Sequence, residues 1–380
     1  MDRPGFIRKI IDGFDIHPVV SLLGPRQCGK TTLARMYAES VAETAVHRFD
    51  LEDPTDLAAL RQARLALQDL QGLVIIDEIQ RSPELFPVLR VLVDRPGNAA
   101  RFLVLGSASR DLIRQSSETL AGRIGHIELT PFSLQETGVE ASDRLWLRGG
   151  YPNAFLAPSE PASFRWRKDY VATFLERDLP QLGITIPPET LRRFWMMLAH
   201  YHGQVVNFSE LGRSFGVADT TVRRYLDILA ATFMVRQLQP WHVNVGKRQV
   251  KAPKLYLRDS GLFHVLMGIG DRVALGRHPK LGPSWEGFAI EQVIRLHDAA
   301  PDEAYFWATH GGAEVDLLIV QGDAPLGYEI KYTDDPRPSR SMHAAIETLD
   351  LREIRVVYPG KKSFPMADNI RAVGLDNLLQ

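Results

Sequence analysis

The chain has 380 residues, of which 45% are hydrophobic and 24% charged, and its formal net charge is −1. This composition is that of an ordinary globular protein, and the length exceeds what one hydrophobic core usually organises, so we expect two or three domains. The near-zero net charge does not predict a polyanionic partner for the chain as a whole.

Membrane and secretion signals are not evident in the sequence. No apolar run approaches the roughly 18 residues of a membrane helix, and the first residues, MDRPGFIRKIIDGF, lack the apolar core of a secretion signal. The one cysteine, Cys28, excludes an internal disulfide and a cysteine metal cluster. We therefore expect a cytoplasmic protein that makes no membrane contact.

The first motif in the chain is GPRQCGKT, which follows an apolar strand pattern over residues 19–23 and precedes a helical pattern over residues 31–40. A GxxxxGKT loop between a strand and a helix surrounds the phosphates of a nucleotide with backbone amides. We expect Lys30 to reach the β and γ phosphates and Thr31 to place its hydroxyl on Mg²⁺, with ATP as the nucleotide. The expected nucleotide-binding residues are Gly24, Pro25, Arg26, Gln27, Cys28, Gly29, Lys30, Thr31 and Thr32. A chance glycine-rich turn is the alternative, and the flanking strand and helix argue against it.

A second motif, LVIIDE at residues 73–78, has four apolar β-forming residues followed by two acids. This is the pattern of a Walker B strand. We expect Asp77 to hold Mg²⁺ and Glu78 to orient or deprotonate the water that attacks the γ phosphate. The pair predicts hydrolysis rather than binding alone, although two acids after a strand can also form a solvated turn.

A third strand is predicted over residues 101–106 and ends in Ser107-Ala108-Ser109. Either Ser107 or Ser109 is placed to sense the γ phosphate. Arg123, in the segment LAGR, is a candidate for neutralising the charge that develops on the transferred phosphoryl group. A surface arginine is the alternative for Arg123.

The middle of the chain changes from a sheet pattern to a helical one. Residues 144–178 read as helical around a GGYP turn and predict a lid or linker. Residues 207–230 then show two capped helices separated by Phe215-Gly216-Val217, which is helix-turn-helix spacing, and residues 233–238 alternate as a wing strand would. A winged helix is therefore predicted.

The winged-helix region is also basic, with eight Lys or Arg residues against one acid between residues 221 and 258. This excess predicts contact with DNA or RNA. The expected contacts are Arg223, Arg224, Arg236, Lys247 and Arg248. Packing against a protein, or a helix face that is merely solvated, is the alternative.

The last part of the chain carries a second group of acids. A helix is predicted over residues 285–296, and strands over 314–320 and 326–331. We expect Asp316 and Glu329 to share Mg²⁺ or Mn²⁺, Glu291 to add a ligand from the helix, and Lys331 to activate a water or stabilise a pentavalent phosphate. Glu329 and Lys331 lie on the same face of a strand because side chains alternate. An amphipathic strand with a charged edge is the alternative.

These motifs together resemble a family of prokaryotic AAA-type ATPases that carry a domain of unknown function after the ATPase core. The shared segments include GPRQCGKT, VIIDEIQ, LGSAS, LAGR, PFSLQE, GGYP, ERDL, KLYLRDSGL and EVDLLI followed by EIK. The resemblance implies an α/β protein with a parallel-sheet AAA+ core, a helical and winged-helix segment, and a domain similar to the PD-(D/E)XK restriction-endonuclease fold. The expected divisions are residues 1–140 for the ATPase core, 141–188 for a lid or linker, 189–250 for the winged helix and 251–380 for the nuclease-like domain.

Two functions remain open from the sequence. The first is an ATP-driven enzyme in which the winged helix binds nucleic acid and the carboxyl-terminal acids cleave it with a metal. The second is a nucleotide-controlled switch whose last domain binds protein or DNA and does not cleave. A homo-oligomeric ring is a third interpretation, because AAA+ proteins often complete their site with an arginine from a neighbouring copy.

Overall fold

In the computed structural model the chain forms two compact units. The first comprises residues 1–131 with 231–233, and the second comprises residues 132–230 with 234–380. The structure describes residues 1–41, 44–107, 116, 118–181, 186–242, 250–322 and 324–378. No helix within these ranges is both long enough and apolar enough to span a bilayer.

The first unit is a parallel sheet with helices on both faces. Its strands are β1 (Val19–Gly24), β2 (Val46–Asp50), β3 (Gly72–Asp77), β4 (Ala100–Ser107) and β5 (Ile124–Glu128). Its described helices are α1 (Pro4–Ile16), α2 (Lys30–Ser40), α3 (Pro54–Ala59), α4 (Ala63–Leu67) and α5 (Leu85–Val93). The strand order is β2-β3-β4-β1-β5, and every pairing is parallel. The carboxyl ends of β1, β3 and β4 therefore meet at one edge of the sheet.

Burial on both faces explains why the central strands are continuous apolar runs rather than alternating ones. Val74, Ile76, Phe102 and Val104 pack with α5 and the α3–α4 segment, in a core that also contains Val19. The opposite faces of the same strands pack against α1 and α2. The strands predicted over residues 19–23, 73–76 and 101–106 are confirmed within one residue or two.

The second unit begins with helices. They are α6 (Leu134–Thr137), α7 (Ser142–Arg148), α8 (Pro152–Phe155), α9 (Glu160–Thr173) and α10 (Leu179–Gln181), with a π-helical turn over Phe174–Asp178. The segment PFSLQE, which the sequence division placed in the ATPase core, packs here instead: the backbone N–H of Leu134 donates to Gln292 Oε1 at 2.9 Å, and Arg295 Nη1 donates to the Phe132 carbonyl at 3.1 Å.

A helix-rich segment with three short strands follows. It consists of α11 (Pro188–His200), β6 (Gln204–Val205), α12 (Phe208–Phe215), α13 (Asp219–Ala231), β7 (Val235–Pro240) and β8 (Lys254–Leu257). Asn207 caps α12 by accepting from the Glu210 N–H at 3.1 Å, and Gly216 ends it with a φ of 69°. Strand β8 pairs antiparallel with both β6 and β7.

The remaining elements build a mixed sheet. They are α14 (Ser260–Leu266), α15 (Arg272–Gly276), α16 (Leu281–Leu296), β9 (Ala304–Ala308), β10 (Glu314–Ile319), β11 (Leu326–Ile330), α17 (Arg340–Leu349), β12 (Glu353–Tyr358), β13 (Ser363–Ala367) and β14 (Ile370–Gly374). Strands β9, β10 and β11 form an antiparallel meander, and β12 pairs parallel with β11 after α17.

The sheet of the second unit has nine strands in the order β13-β14-β12-β11-β10-β9-β7-β8-β6. The strands of the helix-rich segment are therefore continuous with those of the carboxyl-terminal part. The boundary expected at residue 250 falls between β7 and β8, which pair directly.

Candidate nucleotide site and carboxyl-terminal acidic cluster

The GPRQCGKT loop joins β1 to α2 at the carboxyl edge of the sheet. Its turn uses left-handed backbone at Gln27, with a φ of 61°, and at Gly29, with a φ of 100°. A Cβ on Gly24 would lie 2.2 Å from the carbonyl oxygen of Leu129, so only glycine fits there.

Arg3 stabilises the loop through hydrogen bonds: its guanidinium donates to the carbonyls of Cys28 at 3.1 Å and Thr130 at 2.8 Å. The loop is thus held in shape by the protein itself.

Lys30 and Thr31, the first residues of α2, lie beside the end of β3. Lys30 is buried, and its Nζ donates to the carbonyls of Gly24 and Pro25 at 3.0 Å each. The Thr31 hydroxyl donates to Asp77 Oδ2 at 2.7 Å. The structure therefore brings together the lysine, the hydroxyl and the carboxylate that the sequence singled out. A hydroxyl and a carboxylate are hard oxygen donors, which suit Mg²⁺.

Asp77 and Glu78, at the end of β3, make different hydrogen bonds. Asp77 Oδ1 accepts the backbone N–H of Glu78 at 2.9 Å, and Glu78 has a left-handed φ of 55°. The Glu78 carboxylate contacts the Gln80 amide and lies 4.0 Å from Arg26 Nη2. Burial raises the pKa of both carboxyls above their usual values. A base of raised pKa accepts a proton more readily near neutral pH.

A cavity of about 270 Å³ opens beside Thr31 and Asp77. Thr32 also lines it, along with Asp50 at the end of β2. The loop cysteine, Cys28, is fully buried, and burial raises the pKa of its thiol. A buried thiol of raised pKa is a poor nucleophile, so Cys28 is a packing residue of the loop.

Ser107 ends β4 directly beside the loop, since its register partner on β1 is Gly24. Its hydroxyl is buried and has no hydrogen-bond partner within the described part of the chain. Its backbone N–H donates to Gln80 Oε1 at 3.3 Å. Ser109, the other serine considered for this role, lies outside the described residues.

Arg123 does not lie at this edge of the sheet. It precedes β5, and its carbonyl accepts from the N–H of Val19, the first residue of β1. Its Nε donates to Asp94 Oδ1 at 2.6 Å. Because the strands are parallel, Arg123 lies at the amino ends, opposite the loop. The role expected for Arg123 at the phosphates of its own chain is therefore wrong.

The arginines expected to contact nucleic acid have different surroundings. Arg223 and Arg224 are exposed on α13, and the Arg223 guanidinium stacks on the Phe208 ring at 3.7 Å. Arg236 is not available: its Nε donates to Glu291 Oε1 at 2.5 Å and its Nη2 to Glu291 Oε2 at 3.1 Å. Lys247 and Arg248 lie outside the described residues.

Glu291 does not join the acids that were expected to hold a metal. Its carboxylate is surrounded by Arg236, by Arg258 at 3.5 Å and by Arg295 at 3.8 Å. Burial opposes ionisation, but these three guanidinium groups lower the pKa of Glu291 to about 2. It is a buried counter-ion of arginines, and the metal role expected for it is wrong.

Glu286, one and a half turns earlier on α16, lies with Asp316 and Glu329 instead. Lys254 Nζ lies 3.3 Å from Asp316 Oδ1 and 3.6 Å from Glu286 Oε1. Lys331 Nζ lies 2.6 Å from Glu329 Oε1. We call the group Lys254, Glu286, Glu314, Asp316, Glu329 and Lys331 the acidic cluster.

Burial and neighbouring carboxylates change the ionisation of this cluster. Burial, together with Asp316, raises the pKa of Glu329 to about 8 and that of Glu286 to about 7. Burial opposes charge on Lys254, but the surrounding acids and Tyr256 raise its pKa well above the usual value. Within the described ranges, no group of three or more acidic, histidine or cysteine side chains is arranged to hold a metal ion. The expected Mg²⁺ or Mn²⁺ site is therefore not formed by Glu291, Asp316 and Glu329.

Comparison with known proteins bears on each part of the chain. Residues 17–138 match a family described as an AAA domain, and residues 139–273 and 281–378 match two domains of unknown function, DUF8612 and DUF4143. The uncharacterized proteins Rv2008c of Mycobacterium tuberculosis and Mb2031c of Mycobacterium bovis are each 54% identical over 362 residues, which cover 95% of this chain and 81% of each relative. The chain belongs to the family of these two proteins.

A solved structure is similar in fold. The Walker-type ATPase PABY2304 of Pyrococcus abyssi superposes with a TM-score of 0.50 at 15% identity, over 70% of this chain and 95% of that one. Together with the AAA-domain match over residues 17–138, this supports an AAA-type P-loop fold for that part of the chain. Neither of the other two matched descriptions names a nuclease.

Besides Glu286 and Glu314, the sequence analysis did not assign Lys254 and Tyr256 to this site. Both lie on one face of β8, where Lys254 reaches the acidic cluster and the Tyr256 hydroxyl donates to Glu286 Oε1 at 2.5 Å. The signal was present in KLYLRDSGL, in which Lys254, Tyr256 and Arg258 alternate with leucines. Alternation of this kind predicts one polar and one apolar face, but does not name the partners.

Proposed function

We propose that this chain hydrolyses ATP at the GPRQCGKT loop. The observation that carries the proposal is the 2.7 Å hydrogen bond between Thr31 and Asp77, which sets the loop beside the end of β3. When bound, Mg²⁺ would neutralise charge on the β and γ phosphates, with Thr31 and Asp77 as the residues that hold it. The backbone amides between Gly24 and Thr31 would surround the phosphates.

The other residues of the site have distinct roles in this proposal. Lys30 exchanges the carbonyls of Gly24 and Pro25 for phosphate oxygens when the nucleotide binds, since both are acceptors for the same ammonium group. Glu78 orients the attacking water and takes its proton. Ser107 offers to the γ phosphate its buried hydroxyl, which has no hydrogen-bond partner among the described residues.

The test is steady-state ATP hydrolysis with Mg²⁺, measured as phosphate release alongside nucleotide binding. Lys30→Ala should weaken both, because the ammonium group contacts the nucleotide in the ground state and in the transition state. Unchanged hydrolysis in Lys30→Ala would exclude this loop as the active site. Mass measurement in solution with ATP tests ring assembly, which stays a prediction.

We also propose that α13 contacts nucleic acid. The order helix, strand, helix, helix and two strands over residues 188–257 matches the order expected of a winged helix, which supports α13 as its recognition helix. Arg223 and Arg224 are exposed on this helix, and stacking of Arg223 on Phe208 limits its rotamers. Guanidinium groups fixed in this way suit bidentate contact with phosphates.

Binding of fluorescent duplex DNA and RNA, followed by anisotropy over a range of salt concentrations, tests this second function. Arg223→Ala/Arg224→Ala should weaken binding and reduce the salt dependence by about two phosphate contacts. The control is Arg337→Ala, an exposed arginine paired with Asp335 elsewhere in the second unit. If both variants lose the same binding affinity, or if neither loses any, α13 is not the contact surface.

A further inference from the structure

Lys254 is a buried ammonium group surrounded by carboxylates. Its side chain is 4% exposed, and Nζ contacts Glu314 in addition to Asp316 at 3.3 Å and Glu286 at 3.6 Å. These acids come from α16 and β10, whereas the lysine comes from β8. A lysine is almost never buried unless it is paired, and here it is paired with three carboxylates at once.

Two of the acids that contact Lys254 are also fixed by a second donor. Asp316 Oδ2 accepts the backbone N–H of Ile330 at 2.9 Å, and Glu286 Oε1 accepts the Tyr256 hydroxyl. Glu329 is bound to Lys331 through Oε1, while its Oε2 is buried and has no hydrogen-bond partner among the described residues. The side chain of Glu329 is 8% exposed, so this unpaired oxygen is not satisfied at the surface.

A divalent cation requires several carboxylate oxygens that are held in place and directed at one point. In this cluster, carboxylates from one helix and one strand surround one positive charge. A lysine ammonium group can supply a positive charge at the position of a metal ion, and it does not require the fixed coordination geometry that a metal ion does. The positive group is part of the chain, and it is held by β8, the strand that begins the KLYLRDSGL segment.

We propose that Lys254 is a built-in counter-ion that occupies the cation position among Glu286, Glu314 and Asp316, in the cluster that also contains Glu329, so that this cluster takes up a divalent metal only when the lysine charge is removed. The inference depends neither on ATP hydrolysis nor on nucleic-acid contact. It explains why four acids lie close together in a region where no metal-holding group is arranged among the described residues.

The test is Mn²⁺ binding by calorimetry without nucleotide, in an Asp77→Asn background that removes the acid expected to hold Mg²⁺ at the loop. In this background Lys254→Met should gain one Mn²⁺ site, with affinity on the order of a hundredfold or more above that of the background protein, since a like charge no longer opposes the metal. Adding Asp316→Asn should abolish the gain. Lys361→Met, at an exposed lysine of the same unit, should bind no additional Mn²⁺.

Two results would overturn the proposal. One is Asp316-dependent Mn²⁺ binding of equal affinity before and after Lys254→Met. The other is a folded Lys254→Met protein, checked by circular dichroism, that gains no Mn²⁺ site. If Lys254→Met does not fold in the absence of metal, millimolar Mn²⁺ should restore its cooperative melting. The proposal is also contradicted if Mn²⁺ does not restore folding of Lys254→Met although the double variant Lys254→Met/Asp316→Asn folds.

Discussion

Thr31 and Asp77 are joined by a 2.7 Å hydrogen bond although 46 residues separate them in the chain. Strand β4 lies between β1 and β3, so the loop after β1 and the acid at the end of β3 meet across a third strand. Parallel pairing places both at the carboxyl edge, where open α/β sheets bind ligands. Ser107, at the end of the intervening β4, lies at the same edge.

Glu78→Gln should slow ATP hydrolysis by about 10²- to 10⁴-fold while nucleotide binding stays close to that of the unsubstituted protein. Glutamine keeps the shape of the side chain but cannot take a proton from water. The measurement is single-turnover hydrolysis beside equilibrium binding of a fluorescent ATP analogue. Turnover at the full rate in Glu78→Gln would assign the base elsewhere.

Ser107→Ala should slow hydrolysis by about tenfold, equivalent to one lost hydrogen bond in the transition state. The free energy of unfolding should not fall, because the hydroxyl that is removed is buried without a partner in the described structure. Activity and urea unfolding are measured on the same preparation. A large loss of stability with unchanged activity would instead assign Ser107 a purely structural role.

Gly24→Ala should destabilise the first unit by about 1–3 kcal/mol or more and weaken ATP binding, because the added methyl group would lie 2.2 Å from the Leu129 carbonyl oxygen. Gly5→Ala is the matched control: nothing lies within 4 Å of the added carbon, and Gly5 is in α1. Thermal unfolding with and without ATP distinguishes the two. Equal melting temperatures for the two variants would contradict the close approach at Gly24.

Glu291→Gln should cost about 3–5 kcal/mol in the free energy of unfolding, because three buried or half-buried arginines lose their shared anion. Asp335→Asn removes an acid from an exposed pair with Arg337, 2.8 Å apart, and should cost at most about 1 kcal/mol. Urea unfolding measures both. Similar losses in the two variants would show that the arginine cluster does not depend on Glu291.

The buried His202 predicts acid sensitivity. Its Nδ1 accepts the Leu257 N–H at 3.0 Å, and burial lowers its pKa to about 3. Between the model-peptide value of about 6.5 and the folded value, the unfolded chain binds a proton that the folded chain does not, so stability falls as the pH drops through this range, by up to about 1.4 kcal/mol per pH unit. His202→Gln should reduce this slope, whereas His310→Gln, at an exposed histidine, should not. Identical slopes from urea unfolding at several pH values would contradict the assignment.

Local sequence alone was enough to predict most of the candidate nucleotide site. The loop, the acids at residues 77 and 78 and the serine at 107 each follow an apolar strand, and strands of this kind in an α/β chain run parallel with their ends at one edge. Local patterns in separate segments therefore predicted that residues distant in the chain lie together at one edge of the sheet. The prediction for Arg123 failed because the sequence analysis did not recognise β5. A residue that precedes a parallel strand lies at the amino edge of the sheet, opposite the residues that follow the strands.

Tertiary structure alone decided the acidic cluster. Glu286 and Glu291 lie on one helix about 140° apart, and no local pattern states which face meets β10. Packing places Glu286 beside Asp316, directs Glu291 to three arginines, and brings Lys254 to Asp316 from 62 residues away. The sequence determined which residues are charged and which face of its strand each occupies. Only the folding of strands and helices onto one another determined which charges meet, because that choice depends on contacts between residues distant in the chain.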